Sequence, residues 1–188
     1  TLQVTAPLAL LRADDRMAEF AATVATKKSR WTRIIRLFAA DRLIEVENQV
    51  DWQETHKLAK AEFGVNVLTR ELVCDTSAGF IRRETHRNTS WQQARFEVCS
   101  HKWCDLGETG AGVAFLNQGL YGVGVGGNHI TLSLLRATMR PDITADRGHH
   151  AFCYQILPHA GDFVAAGINR KALELNQPLT RPALPGHN

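Results

Sequence analysis

The residues best suited to chemistry crowd into one stretch, Glu84-Thr-His-Arg-Asn-Thr-Ser-Trp-Gln-Gln-Ala-Arg-Phe-Glu-Val-Cys-Ser-His-Lys-Trp-Cys-Asp105, where two Trp, two His and three acidic side chains share 22 positions. Carboxylates and imidazoles at this density can give and take protons, and the indoles offer flat apolar faces to a ligand. Three carboxylate pairs are near enough in sequence to act as acid and base: Asp51 with Glu54, Glu84 with Glu97, and Asp105 with Glu108. No local feature marks a member of any pair as a nucleophile or as an acid of raised pKa.

The eight histidines divide by context. His187 lies near the end of the chain, in Pro-rich sequence. His56 and His101 sit beside Trp and acidic residues, where a structural hydrogen bond accounts for them, and His86 and His129 adjoin turn sequence and take the same reading. His149-His150 and His159 flank the apolar run Ala151–Leu157, with glycine and polar groups at both ends, as the edge of a site would have. The segment Cys99-Ser-His-Lys-Trp-Cys104 offers three soft ligands but no fourth at knuckle spacing, so its thiols are expected to be buried rather than metal-bound. Gly122-Val-Gly-Val-Gly-Gly127 satisfies the dinucleotide pattern G-x-G-x-x-G. That pattern needs a helix after its last glycine, and here the strand-like Ile130-Thr-Leu-Ser-Leu134 follows, so a hairpin is expected. Asn88-Thr-Ser90 matches a glycosylation sequon, but no secretory signal region is visible to make use of it.

The elements that must position these groups are mostly strands. Ile44–Val50 alternates with period two, placing Ile44, Val46 and Val50 on one face, and Ile130–Leu134 repeats the pattern. Strands are likewise expected over Trp31–Phe38, Leu58–Val67, Leu72–Arg82, Ala94–Ser100, Ala111–Leu116 and Ala151–Leu157, with turns at Asp105–Gly110 and Gly126–Asn128. Val164, Ile168, Ala172 and Leu175 recur at helical spacing and predict one short amphipathic helix over Phe163–Leu175. The chain therefore reads as all-β, a single sandwich over residues 1–176, followed by an extended Pro-rich tail over 177–188.

Composition sets limits. A chain of 188 residues, 44% hydrophobic and 22% charged, can bury a core of its own. The net charge of +3 comes without any basic run longer than Lys27-Lys28 or Arg82-Arg83, which argues against a nucleic-acid partner. No apolar stretch approaches a membrane span. The four cysteines form no C-x-x-C pair and are expected to be reduced thiols in a cytoplasmic protein. Because it opens on Thr1 rather than Met, the chain is expected to be a piece of something longer.

The Glu84–Asp105 block resembles a segment in the C-terminal half of the α-mannosidases of glycoside hydrolase family 38, in the cytosolic-type branch and its bacterial relatives. The resemblance continues, in family order, through Val50-Asp-Trp-Gln-Glu-Thr-His-Lys57, Gly119-Leu-Tyr-Gly122, Leu132-Ser-Leu-Leu-Arg136, Ala145-Asp-Arg-Gly-His149 and Leu157-Pro-His-Ala-Gly161. It implies a large sandwich of the galactose mutarotase-like supersandwich type, acting as scaffold and active-site rim for a retaining, metal-dependent hydrolysis of α-mannosides. It also implies that the aspartate nucleophile, the acid/base carboxylate and the divalent metal, zinc by expectation, belong to an N-terminal catalytic domain that opens with His-x-Asp. No His-x-Asp occurs in these 188 residues, so no catalytic residue, metal ligand or cofactor is expected in this chain, and the isolated chain is expected to be inactive. The segment matching the family's rim loop is Asp146, Arg147, Gly148, His149 and His150. Arg147 would supply a forked donor there, and Gly148 would allow close backbone approach.

Expected partners are the N-terminal domain of the same chain and an α-mannoside, with self-association possible through surface left uncovered. Two alternatives belong to other classes. One is an autonomous carbohydrate-binding module stacking sugars on Trp91, Trp103 or Trp52; the other is a mutarotase-like enzyme using His101 or His159 with Glu97.

Overall fold

A computed structural model describes residues 2–178. In chain order its elements are β1 (Gln3–Ala13), β2 (Met17–Ala25), β3 (Arg30–Phe38), β4 (Ile44–Trp52), β5 (Leu58–Gly64), β6 (Glu71–Thr76), β7 (Gly79–Glu84), α1 (Ser90–Gln93), β8 (Val98–Cys99), β9 (Trp103–Glu108), β10 (Ala111–Asn117), β11 (Gly122–Gly126), β12 (His129–Arg136), β13 (Gly148–Ala160) and α2 (Ile168–Asn176). The strands form two sheets, one ordered β1-β2-β3-β4-β13-β10-β9-β6-β7 and one ordered β5-β12-β11-β8. Every pairing in both is antiparallel. The all-β expectation holds.

The main core lies between the sheets. Leu72, Cys74, Cys104, Leu106 and Phe115 of the large sheet meet Val123, Ile130 and Leu132 of the small one, all fully buried. Phe63 packs 5.2 Å from Phe115 and 5.9 Å from Tyr154 between ring centroids, and Trp31 stands edge-on to Trp52 and Phe152. The Trp31 indole N–H donates to Asn48 Oδ1 at 2.9 Å, which makes burying both polar groups tolerable. On the other face of the large sheet, Val73, Trp103, Ala114, Leu116 and Leu157 are covered by Ile168 and Ala172 of α2. β10 is thus buried on both faces, which explains why Ala111–Asn117 reads as a nearly continuous apolar run.

Several boundaries differ from expectation. Leu72–Arg82 is not one strand but the hairpin β6–β7, turned at Ser77-Ala78 and resumed at Gly79 with φ of 146°. Only Val98–Cys99 of Ala94–Ser100 is strand, because the preceding residues form the single-turn helix α1, fixed by a capping box between Thr89 and Gln92. That turn is a helix beyond the one expected. The C-terminal helix starts at Ile168 rather than Phe163, since Gly167, at φ 67°, interrupts the helical path, and Asp162 Oδ1 accepts the Ala165 N–H in the turn before it. Two strands, β1 and β2, occupy residues that carried no assigned element. The hairpin expected at Gly122–Gly127 is present as β11–β12, with Val125 opposite Ile130. Past Pro178, the expected tail lies outside the described residues.

Candidate functional site

Of the five expected rim residues, Asp146 and Arg147 end the connection from β12 in the small sheet to β13 in the large one, and Gly148, His149 and His150 open β13 itself. Asp142 shapes its first half: Oδ1 accepts both the backbone N–H of Thr144 at 2.8 Å and its hydroxyl at 2.7 Å, which holds the carboxyl below its ordinary pKa. The chain then turns back through Arg147 N–H to the Thr144 carbonyl at 3.0 Å. Asp146 occupies the left-handed region at φ 61°, a conformation its short polar side chain tolerates, and Gly148 follows at φ 132°, where a side chain would be strained. His150 Nε2 lies 2.8 Å from the Asp146 carbonyl oxygen and ties the loop to the start of β13.

Register decides what these residues meet. His149 pairs with Asp51 of β4, and Asp51 with Arg30 of β3, so the three stand in one row across adjacent strands. Together with Thr32, Gln49 and His150 they line an open depression of about 370 Å3. Asp146 and Arg147 are exposed beside it in sequence. The fold therefore adds Arg30 and Asp51 to the loop residues, a grouping invisible in sequence because three separate strands contribute. Guanidinium, carboxylate, imidazole and amide groups in a shallow, wet depression suit hydrogen bonding to hydroxyls. Among the described residues no three His, Cys, Asp or Glu gather in a way that could hold a metal ion, so these residues do not fit the implied zinc.

The other candidate residues are placed elsewhere. Trp52 and Trp103 are buried, which removes both as stacking platforms, while Trp91 on α1 is 80% exposed. Glu97 is held by Lys60 and by the Ser133 hydroxyl on the small sheet. His159 lies on the opposite side of the sandwich, under the turn before α2, so the fold does not assemble the mutarotase-like pair. His101 packs 5.5 Å from Tyr121 between ring centroids and is not joined to Glu97. Cys74 and Cys104 are buried, and burial pushes the Cys74 thiol up to about 11. Cys99, expected to be buried, is exposed because only two residues of its strand pair with β11.

The paired carboxylates each find other partners, although Glu84 and Glu97 line one small cavity together. Glu54, nearly fully buried, accepts from the Ser29 hydroxyl at 3.2 Å and from Thr26, and meets Lys57 Nζ at 3.0 Å. Glu84 accepts from Gln92 at 2.9 Å, and Glu108 from the Leu68 N–H at 3.1 Å. Asp105 is paired not with Glu108 but with His159, 54 residues away, at 2.7 Å from Nε2 to Oδ1. Burial pushes the Asp105 carboxyl up, and His159 opposes that shift. The imidazole lies across Gly112, whose hydrogen leaves it room.

Comparison with known proteins places this fold. Residues 11–144 match the glycosyl hydrolases family 38 C-terminal domain, ending one residue before the loop segment Ala145–His150. The chain is 41% identical over 158 residues to alpha-mannosidase 2C1 of Mus musculus, covering 84% of this chain and 15% of that protein. Against alpha-mannosidase 2C1 of Homo sapiens it is 43% identical over 151 residues, covering 80% and 14%. It thus spans about a seventh of the length of these curated relatives. An alpha-mannosidase from Enterococcus faecalis V583 superimposes with a TM-score of 0.78 at 13% identity, over 90% of this chain and 24% of that one, a likeness of fold. With 134 of its 188 residues inside the family match (11 through 144) and relatives above 40% identity, the chain belongs to the glycosyl hydrolase family 38 C-terminal domain family.

Proposed function

We propose that this domain is the C-terminal sandwich of an α-mannosidase, in which it scaffolds and rims the active site of a separate N-terminal catalytic domain that hydrolyses α-mannosides with retention. The observation that carries the reading is 41–43% identity, over 80–84% of this chain, to proteins named alpha-mannosidase 2C1. In this reading the paired carboxylates and the divalent metal, zinc by expectation, come from the N-terminal domain, and the present residues bind and orient. Arg147 offers two parallel N–H donors to sugar hydroxyls or to a catalytic carboxylate, Asp146 accepts from hydroxyls, and Gly148 lets the backbone approach. His149, next to Asp51, forms the polar edge of the depression, and His150 positions the loop through its bond to the Asp146 carbonyl. Four free cysteines, all of them inside paired strands and two of them buried, are in keeping with a cytoplasmic protein. No described helix is long and apolar enough to cross a membrane.

The test is kinetic and is run on the full-length protein. Removing one charged hydrogen bond costs about 1.5–3 kcal/mol, so Arg147→Ala and His150→Ala should each lower kcat/KM for an aryl α-mannoside by roughly ten- to a hundred-fold. Melting temperature should stay nearly unchanged, because Arg147 is exposed and the bond His150 makes is to the Asp146 carbonyl only four residues away. Unchanged kinetics with lowered melting temperatures would reduce the segment to a turn that holds β13.

A further inference from the structure

The first strand is the least covered part of the molecule. Every residue of β1 is exposed, on both faces of the sheet. Leu2, Val4, Leu8, Leu10 and Leu11 are 57–68% exposed, and from Gln3 to Leu11 there is no charged side chain. Soluble proteins rarely leave a contiguous apolar surface of more than a few hundred Å2, and they normally protect edge strands with charge. β1 has neither cover nor charge until Arg12, which pairs with Asp14 at the tip of the hairpin.

The edge itself is a poor template for another strand. Pro7 contributes no N–H, and the pairing of β1 with β2 shifts register between Val4 and Ala6, between Ala6 and Ala9, and between Leu10 and Arg12. Such interruptions bend and twist a strand and discourage edge-to-edge addition by a second copy. What remains usable is the side chains on the two faces, and these fit a packed apolar surface rather than a hydrogen-bonded one. The alpha-mannosidase relatives contain some six times more polypeptide than the part matched here, since the match covers 15% of the mouse protein. A covalently attached domain needs no high concentration to occupy such a surface.

From these observations we infer that the β1–β2 hairpin is the seat of another domain of the same full-length polypeptide, which closes over both faces of β1 with apolar side chains. This rests on the proposed membership of a longer α-mannosidase and assigns where on the sandwich the rest of it docks. It also accounts for a strand that buries nothing within its own domain.

Hydroxyl-radical footprinting of the full-length protein and of the isolated 188-residue chain decides it. Interface cores pack as tightly as interiors, so Leu8, Leu10 and Leu11 should react roughly five-fold or more slowly in the full-length protein, at any protein concentration. Equal reactivity in the two would overturn the inference. Protection that appears in both and grows with concentration would also overturn it, by assigning the surface to a second copy. Hydrolysis of an aryl α-mannoside is followed in the same full-length sample. An active protein with unprotected β1 sinks the docking inference and leaves the proposed function standing, whereas an inert protein with protected β1 does the opposite.

Discussion

Gly112→Ala tests how the two faces of the large sheet are held in register. Gly112 lies between Gly107 of β9 and His159 of β13, and a methyl group placed there would sit 2.5 Å from His159 Cε1, 2.6 Å from Nε2 and 3.1 Å from the Leu106 carbonyl oxygen. The backbone oxygen cannot yield, so the imidazole must leave Asp105. Overpacking of this kind costs about 1–3 kcal/mol. Losing a hydrogen bond to a charged group costs about 1.5–3 kcal/mol more, for a total of roughly 2.5–6 kcal/mol. At about 2–4 °C per kcal/mol for a domain this size, the melting temperature should fall by roughly 5–24 °C. Circular dichroism melts at neutral pH measure it. The sign of the pH dependence follows from Asp105, whose folded pKa is raised by burial. A carboxyl raised in the folded state favours folding when protonated, so its contribution is complete below the unfolded value of about 3.9 and is lost as pH rises through the folded value. Without His159 to offset burial the loss is larger, and the gap between variant and wild type should narrow in acid. In Gly112→Ala/His159→Ala the contact with the imidazole is gone and only the 3.1 Å approach to the Leu106 carbonyl oxygen remains, so Gly112→Ala should cost less in the His159→Ala background than in wild type. A Gly112→Ala melt within 1 °C or so of wild type would refute the reasoning.

Two further outcomes are expected. Arg36 binds Glu19, Glu45 and Glu47 at 2.7, 3.0 and 2.9 Å in a cluster less than a third exposed, so Arg36→Ala should cost about 2–3 kcal/mol in urea unfolding at pH 7, between the values for surface and buried pairs. The Thr26 hydroxyl above all, with Lys57 and Ser29, holds the Glu54 carboxyl below its ordinary pKa. That stabilisation is complete above the unfolded value of about 4.3 and is lost as pH falls through the folded one, so Glu54→Gln should flatten the acid limb of stability against pH between about 3 and 5.

The strands visible in sequence are those that bury at least one face. Ile44–Val50 alternates because Val46 and Val50 enter the core while Glu45 and Glu47 meet Arg36 outside, and β12 alternates for the same reason. β1 gave no period-two signal because it has no buried face within this domain, and Pro7 argues against a strand when read locally. β2 escaped because its mixture of alanine with Met17, Phe20 and Val24 puts apolar groups on both faces. The hairpin inside Leu72–Arg82 was hidden for a different reason: Thr76-Ser-Ala-Gly79 contains only one residue of strong turn character, so the apolar pattern ran across it. α2 was legible as a stripe but not in its start, which depends on a left-handed glycine.

The site was legible only as far as it is local. Asp146 to His150 are contiguous, and glycine beside polar residues at the start of an apolar strand marks a loop; Arg30 and Asp51 join them only through the β3–β4–β13 register, which no local pattern encodes. The same limit misassigned the carboxylates. Nearness in sequence suggested Asp105 with Glu108, but successive strand residues point to opposite faces, and the partner that reaches Asp105 comes from a strand entered some fifty residues later. Once placed, Glu54, Glu84, Glu97, Asp105 and Glu108 each have a hydrogen-bonding or ionic partner within this domain. The polar groups of the loop and its neighbouring row share an open depression. Donors and acceptors in that arrangement can orient a hydroxylated ligand, but water reaches them, and a charged hydrogen bond in water discriminates weakly between ground and transition state. Under the proposed function they would gain catalytic weight only where another surface closes the depression, and the loop's contribution is then to be sought in kcat/KM of the longer polypeptide rather than in stability.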